Sequence, residues 1–144
     1  MGHSRRAIAF LCLSGVLLSG CGGDPLGRHA ISGTVTLDGA PVENGTISFQ
    51  PVDQGTTSSG TAFTGGTYSL SQENGLPVGK YLVTINAPKP GTGGTPSPDA
   101  LPGDPLPPPQ ELIPPEWNVK SDQTIEVKEG GPFEFNFEIV TKRR

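Results

Sequence analysis

The chain is poor in reactive side chains. It has two cysteines, Cys12 and Cys21, and two histidines, His3 and His29, in 144 residues. A disulfide framework needs an even set of cysteines spread over the fold, and with Cys12 inside an N-terminal apolar run this chain lacks one. The cysteines and histidines also lack the ligand spacing of a zinc site. Aromatic residues are 6% and hydrophobic residues 33% of the chain, so any core is small and the fold only marginally stable. Lys and Arg number 10 against 14 Asp and Glu, a net charge of −4, which leaves no basic footprint for nucleic acid. No GxSxG, HExxH, P-loop or Rossmann fingerprint occurs. Asp38, Glu43, Asp53, Asp99 and Asp104 are scattered, whereas a calcium site needs about six to eight converging oxygens. The reading therefore assigns no catalytic residue, no cofactor and no metal.

Glycine (21) and proline (16) make up the balance, together about a quarter of the chain. The length suits one domain. The first 20 residues differ from the rest. "MGHSRR" carries Arg5 and Arg6, residues 7–18 are almost wholly apolar ("AIAFLCLSGVLL"), and Ser19 and Gly20 are small. A basic stretch, a short apolar run and small residues at its end describe a secretory signal peptide. A helix of that run is about 18 Å long, too short for a hydrocarbon core of about 30 Å.

"LSGC", Leu18-Ser19-Gly20-Cys21, resembles the lipobox of bacterial lipoprotein signal peptides. The resemblance implies recognition of Leu18, Ser19 and Gly20 by the signal peptidase and cleavage before Cys21. It implies a diacylglycerol on the Cys21 thiol and a fatty acid such as palmitate on the new amino group. Small residues let the extended chain enter a narrow peptidase site, and the thiol is the nucleophile that accepts the lipid. One acyl chain binds a membrane only marginally, whereas two or three hold it. Removal of Arg5 and Arg6 takes the net charge from −4 to −6, so the lipid, not charge, anchors the protein. Gly22, rather than Asp, follows the cysteine, which by the same resemblance points to the outer membrane over the inner. Residues 21–29 are expected to be a flexible tether.

Beyond Ala30 the sequence reads as strands. "ISGTVTL" alternates Ile31, Gly33, Val35 and Leu37 with Ser and Thr, the period of a half-buried strand. Asp38-Gly39 is a turn signal. "GTISFQP", "SGTAFT", "TYSLS", "GKYLVTINAP", "QTIEVKE" and "PFEFNFEIV" follow. In the last, Phe133, Phe135, Phe137 and Ile139 share a face and are the expected centre of the core. Seven short alternating strands with turn signals between them predict an all-β fold, a seven-stranded antiparallel β-sandwich. Residues 88–115 hold 11 of the 16 prolines. They read as a mobile, partly polyproline II insertion, with Ile113 and Trp117 returning to the sandwich edge. Pro105–Pro108 has PxxP spacing, but SH3-like readers do not fit a chain exported from the bacterial cytoplasm. Residues 141–144 read as a basic tail.

"ISGTVTLDGAPVENGTISFQP", "GTYSL", "GLPVGKYLVTINAP", "ELIPPEWNVKSDQTIEVKEGG" and "FEFNFEI" together resemble small bacterial lipoproteins with carboxypeptidase regulatory-like or transthyretin-like domains. The most specific parts are Gly33–Val42 and Gly79–Thr84. The resemblance covers most of residues 30–140 outside the insertion and implies a prealbumin-like or Ig-like sandwich without catalytic residues. The function expected is a non-enzymatic, membrane-anchored envelope lipoprotein, a structural or protein-interaction module with an envelope protein or glycan as partner. The alternative is a small-ligand or carbohydrate-binding module, which calls for exposed aromatics on one sheet face.

Overall fold

The computed structural model describes residues 24–53, 56–94, 98, 99 and 101–141. The expected signal peptide, with Leu18, Ser19, Gly20 and Cys21, lies outside the described residues. The fold is all-β. Its strands are β1 (Ile31–Leu37), β2 (Ala40–Pro41), β3 (Asn44–Pro51), β4 (Ser59–Thr64), β5 (Thr67–Leu70), β6 (Gly79–Asn86), β7 (Thr124–Val127) and β8 (Phe137–Ile139). Helix is confined, among the described residues, to 3₁₀ turns at Gln72–Asn74 and Pro115–Trp117.

Seven strands form one antiparallel path, β2-β1-β5-β4-β3-β6-β7, which curls into a half-barrel. The eighth, β8, pairs with β1 and is parallel to it. β1 divides its bonding: Ile31–Thr34 pair with β5, and Val35–Leu37 pair with β8, with β2 alongside Thr36 and Leu37. The β1–β2 link is the expected Asp38-Gly39 turn, with φ of 50° and 84°. Two central residues at positive φ match the right-handed twist of the flanking strands. Pro41 then returns Val42, which is buried and donates its N–H to the Val35 carbonyl at 3.1 Å.

The alternation places the core. Ile47 and Phe49 of β3, Tyr68 and Leu70 of β5, Tyr81, Val83 and Ile85 of β6, and Ile125 and Val127 of β7 are buried. Each such side chain contributes about 1.5–3 kcal/mol on burial. Gly45 opens β3 where a Cβ would strike the Phe63 ring and the Asn86 carbonyl, so the sheet admits no side chain there.

The last strand departs from expectation. Phe137–Ile139 form the regular strand, Glu134 keeps an isolated parallel bridge to Ser32, and Phe137 and Ile139 are buried, while Phe133 and Phe135 are partly buried at the margin. The cause is Asn136. Its side-chain oxygen accepts the Thr34 N–H at 2.9 Å and the Thr34 hydroxyl at 2.8 Å, taking the place of a backbone rung. The centre of the core is Tyr68 instead. Its ring lies 6.0 Å from that of Phe49 and 6.1 Å from that of Phe137, and its hydroxyl donates to the Phe135 carbonyl at 2.7 Å. Trp117 packs edge-on against Phe137 at 6.1 Å, and Ile113 is buried.

Candidate functional site

Strand direction divides the molecule into two poles. β1, β4, β6 and β8 run one way and β3, β5 and β7 the other. The N-terminal pole therefore collects residues 24–30, the end of β3, the β5–β6 link and the β7–β8 link. The far pole collects the β1–β2 turn, the β4–β5 turn, the β6–β7 insertion and Thr141.

At the N-terminal pole, residues 24–29 are the described part of the stretch expected as a tether, and they are held to the body. Asp24 accepts the Arg28 N–H at 2.7 Å and pairs with its guanidinium at 2.9 Å. Arg28 Nη1 in turn donates to the Glu73 carbonyl. These bonds to the anion hold the Asp24 carboxyl at about 2, with the Arg28 side chain the largest cause. His29 exchanges backbone hydrogen bonds with Leu76 at 2.9 and 3.1 Å, and its ring stacks on Phe133 at 4.4 Å.

At the far pole the insertion is paired at its base. Lys89 N–H donates to the Gln110 carbonyl at 2.7 Å, Leu112 N–H to the Ala87 carbonyl at 2.8 Å, and Gly94 N–H to the Pro107 carbonyl at 3.2 Å. The Glu111 carboxylate accepts from Ala87 N–H at 2.7 Å and from Ile113 N–H at 3.2 Å. Prolines cannot donate, but their carbonyls accept, so the interspersed non-proline residues suffice to zip the two legs. The stretch expected as a partly polyproline II insertion is thus an arm with a paired stem at its base.

Between this stem and the β1–β2 hairpin lies a groove of about 640 Å³. Leu37, Pro41 and Val42 form one wall, and Pro88, Pro90, Pro109 and Leu112 the other. Polar side chains in the lining are few: Glu43, Asn44, Lys89 and Thr92. The volume falls within the usual range of ligand sites, about 300–1,000 Å³. Sequence reading singled out the Gly33–Val42 stretch and the Pro-rich stretch separately. It missed the groove, because only the β3–β6 register, with Thr46 opposite Asn86, brings residue 41 beside residue 88.

The lining has no histidine, cysteine or serine. Among the described residues, no group of three or more His, Cys, Asp or Glu is placed to hold a metal ion. No helix among them is long and apolar enough to cross a membrane. The buried Tyr68 and Tyr81 phenols have raised pKa values, both chiefly through burial, and Glu134 adds to the rise at Tyr68. Both serve packing: Tyr81 donates to the Pro77 carbonyl at 3.0 Å. The chain matches no protein-family model, and comparison with curated proteins and with solved structures finds no match.

Proposed function

We propose that the chain is a non-enzymatic lipoprotein of the bacterial envelope, anchored through acyl chains on Cys21, whose far-pole groove binds an extended segment of another envelope protein. The groove is the observation that carries the binding part. Its walls are aliphatic side chains and proline rings. A glycan buried there would leave many hydroxyls unpaired against so few polar side chains, at roughly 1–3 kcal/mol each. No aromatic side chain is among the large hydrophobic residues exposed in the described structure, which favours a peptide over the carbohydrate alternative. Pro41 has no N–H to offer along the edge of β2, so side chains in the groove, rather than strand addition, provide recognition.

The carboxypeptidase regulatory-like, prealbumin-type sandwich suits this reading. Its support is the division of β1 between β5 in its first half and β2 and β8 in its second, an arrangement that would let one strand serve two layers around a shared core. Anchoring rests on the Leu18–Cys21 motif, and Gly22 favours the outer membrane.

A photo-crosslinking residue at Asn44, in living cells, tests the groove. The expected result is one discrete protein adduct that disappears when Ala40→Trp fills the groove and is absent from a probe at Thr61. Adducts that survive Ala40→Trp, that arise equally from Thr61, or that contain glycan instead of protein would overturn the peptide reading.

A further inference from the structure

We propose that the N-terminal pole of the domain lies against the lipid headgroups, so that the groove and the arm point away from the bilayer. The inference rests on lipidation of Cys21 and adds to it an orientation. From Cys21 to Asp24 there are three peptide units, about 11 Å at full extension. The first tie to the body is at Arg28, which Asp24 grips through its carboxylate and whose Nη1 donates to the Glu73 carbonyl, followed one residue later by the His29–Leu76 pair. So short a link leaves the body little freedom to roll onto its side.

The surface of that pole fits the same placement. Leu26 (55% exposed), Val52 (54%) and Val78 (44%) are large apolar side chains left in the open there. Val52 directly follows β3 and donates its N–H to the Lys80 carbonyl at 2.9 Å, and Val78 directly precedes β6. Arg28, Lys80 and Lys128 share the pole with Asp24, Asp53, Glu73, Glu126, Glu129 and Glu134, an acidic excess that opposes approach to anionic headgroups, so the acyl chains and the apolar side chains must hold the pole there. Apolar side chains beside a fixed lipid anchor gain by entering the headgroup layer. Eight residues of β6 separate this pole from the groove, about 25 Å of strand. Leu101 (72% exposed) and Leu106 (56%) mark the arm beyond it. The partner therefore approaches from the side of the compartment opposite the anchoring membrane.

The test uses the full lipidated protein in vesicles of phosphatidylethanolamine and phosphatidylglycerol containing a nitroxide-headgroup lipid. Single cysteines at Val52, Val78, Leu101 and Leu106 carry a fluorophore. Because lipidation consumes the Cys21 thiol, protein without an added cysteine should float with the vesicles and take no label. Quenching is expected to be about threefold or more stronger at Val52 and Val78 than at Leu101 and Leu106, given the strand length between them. Arg28→Ala should still float, with that contrast reduced. Equal quenching at both poles, stronger quenching at the arm, or an unchanged contrast in Arg28→Ala, in protein that floats, overturns the orientation while leaving the anchor intact. Protein that stays in solution and labels at Cys21 overturns the anchor and the orientation with it.

Discussion

Gly33→Val is expected to abolish the cooperative unfolding transition, and Gly33→Ala to lower the melting temperature by about 10 °C or more. Gly33 lies in the half of β1 that is gripped on two sides. On one side is β5, with Gly33 opposite Tyr68. On the other is the segment before β8: Ser32 N–H donates to the Phe133 carbonyl at 3.0 Å, and Phe135 N–H to the Ser32 carbonyl at 2.9 Å. A Cβ at Gly33 would fall onto the Phe135 carbonyl and within 2.9 Å of the Tyr68 ring. The neighbour is backbone, so it cannot swing aside as a flexible side chain would. Overpacking costs about 1–3 kcal/mol where side chains can adjust, and more where backbone must move. The whole domain has only about 5–15 kcal/mol to lose, and about 1 kcal/mol shifts the melting point of a domain this size by several degrees. Circular dichroism melts of the Cys21→Ser form measure this. A Gly33→Ala melt within about 2 °C of the parent would show that β1 and the 133–136 segment are not packed as described.

Tyr68→Ala is expected to cost about 3–5 kcal/mol, the range for removing a large buried aromatic, and Tyr68→Phe only about 1 kcal/mol, one hydrogen bond. The difference separates ring from hydroxyl. The ring bridges Phe49 and Phe137, so its loss detaches β8 from β3 across the core. The hydroxyl serves only the Phe135 carbonyl. Burial, with Glu134 assisting, raises the Tyr68 phenol above its ordinary value of 10.0. The folded state therefore keeps a proton that the unfolded chain releases. The associated stability is complete below about pH 10 and is lost as pH rises above it. Tyr68→Phe should flatten that alkaline decline, and Tyr81, also raised by burial, should keep part of it. Urea melts at neutral pH and near pH 11 give both quantities. Equal costs for Tyr68→Ala and Tyr68→Phe would mean that Tyr68 is not a packing centre.

These two positions also show what the sequence makes legible. The β1 and β6 alternations and the Asp38-Gly39 turn are local signals, written in period-two patterning and in residues with special backbone freedom. Each corresponds to an element of the structure. Gly33 could be read as part of a strand face, but not as the point where a second backbone passes. That contact is made by Phe135, about a hundred residues later, and depends on topology. The four apolar residues of the last strand have a faultless alternation. They misdirect because Asn136, which looks like an outward polar residue, bonds Thr34 through its side chain and interrupts the ladder. The insertion reads as extended, partly polyproline II chain because prolines dominate it, and the pairing of its stem is not legible there. Its stem forms through the few N–H groups that remain. The groove is the least legible feature, since Pro41 and Pro88 meet only through the register of β3 against β6.

The central claim is that acyl chains on Cys21 fix this strand-built body to a membrane. Intact mass spectrometry of the protein purified from the membranes of its own cells tests it most directly. The account predicts a chain that starts at Cys21 and is heavier than its sequence by a diacylglycerol and, where the amino group is modified, one further acyl chain. An unmodified thiol at Cys21, in a chain cleaved elsewhere or still bearing residues 1–20, would contradict it.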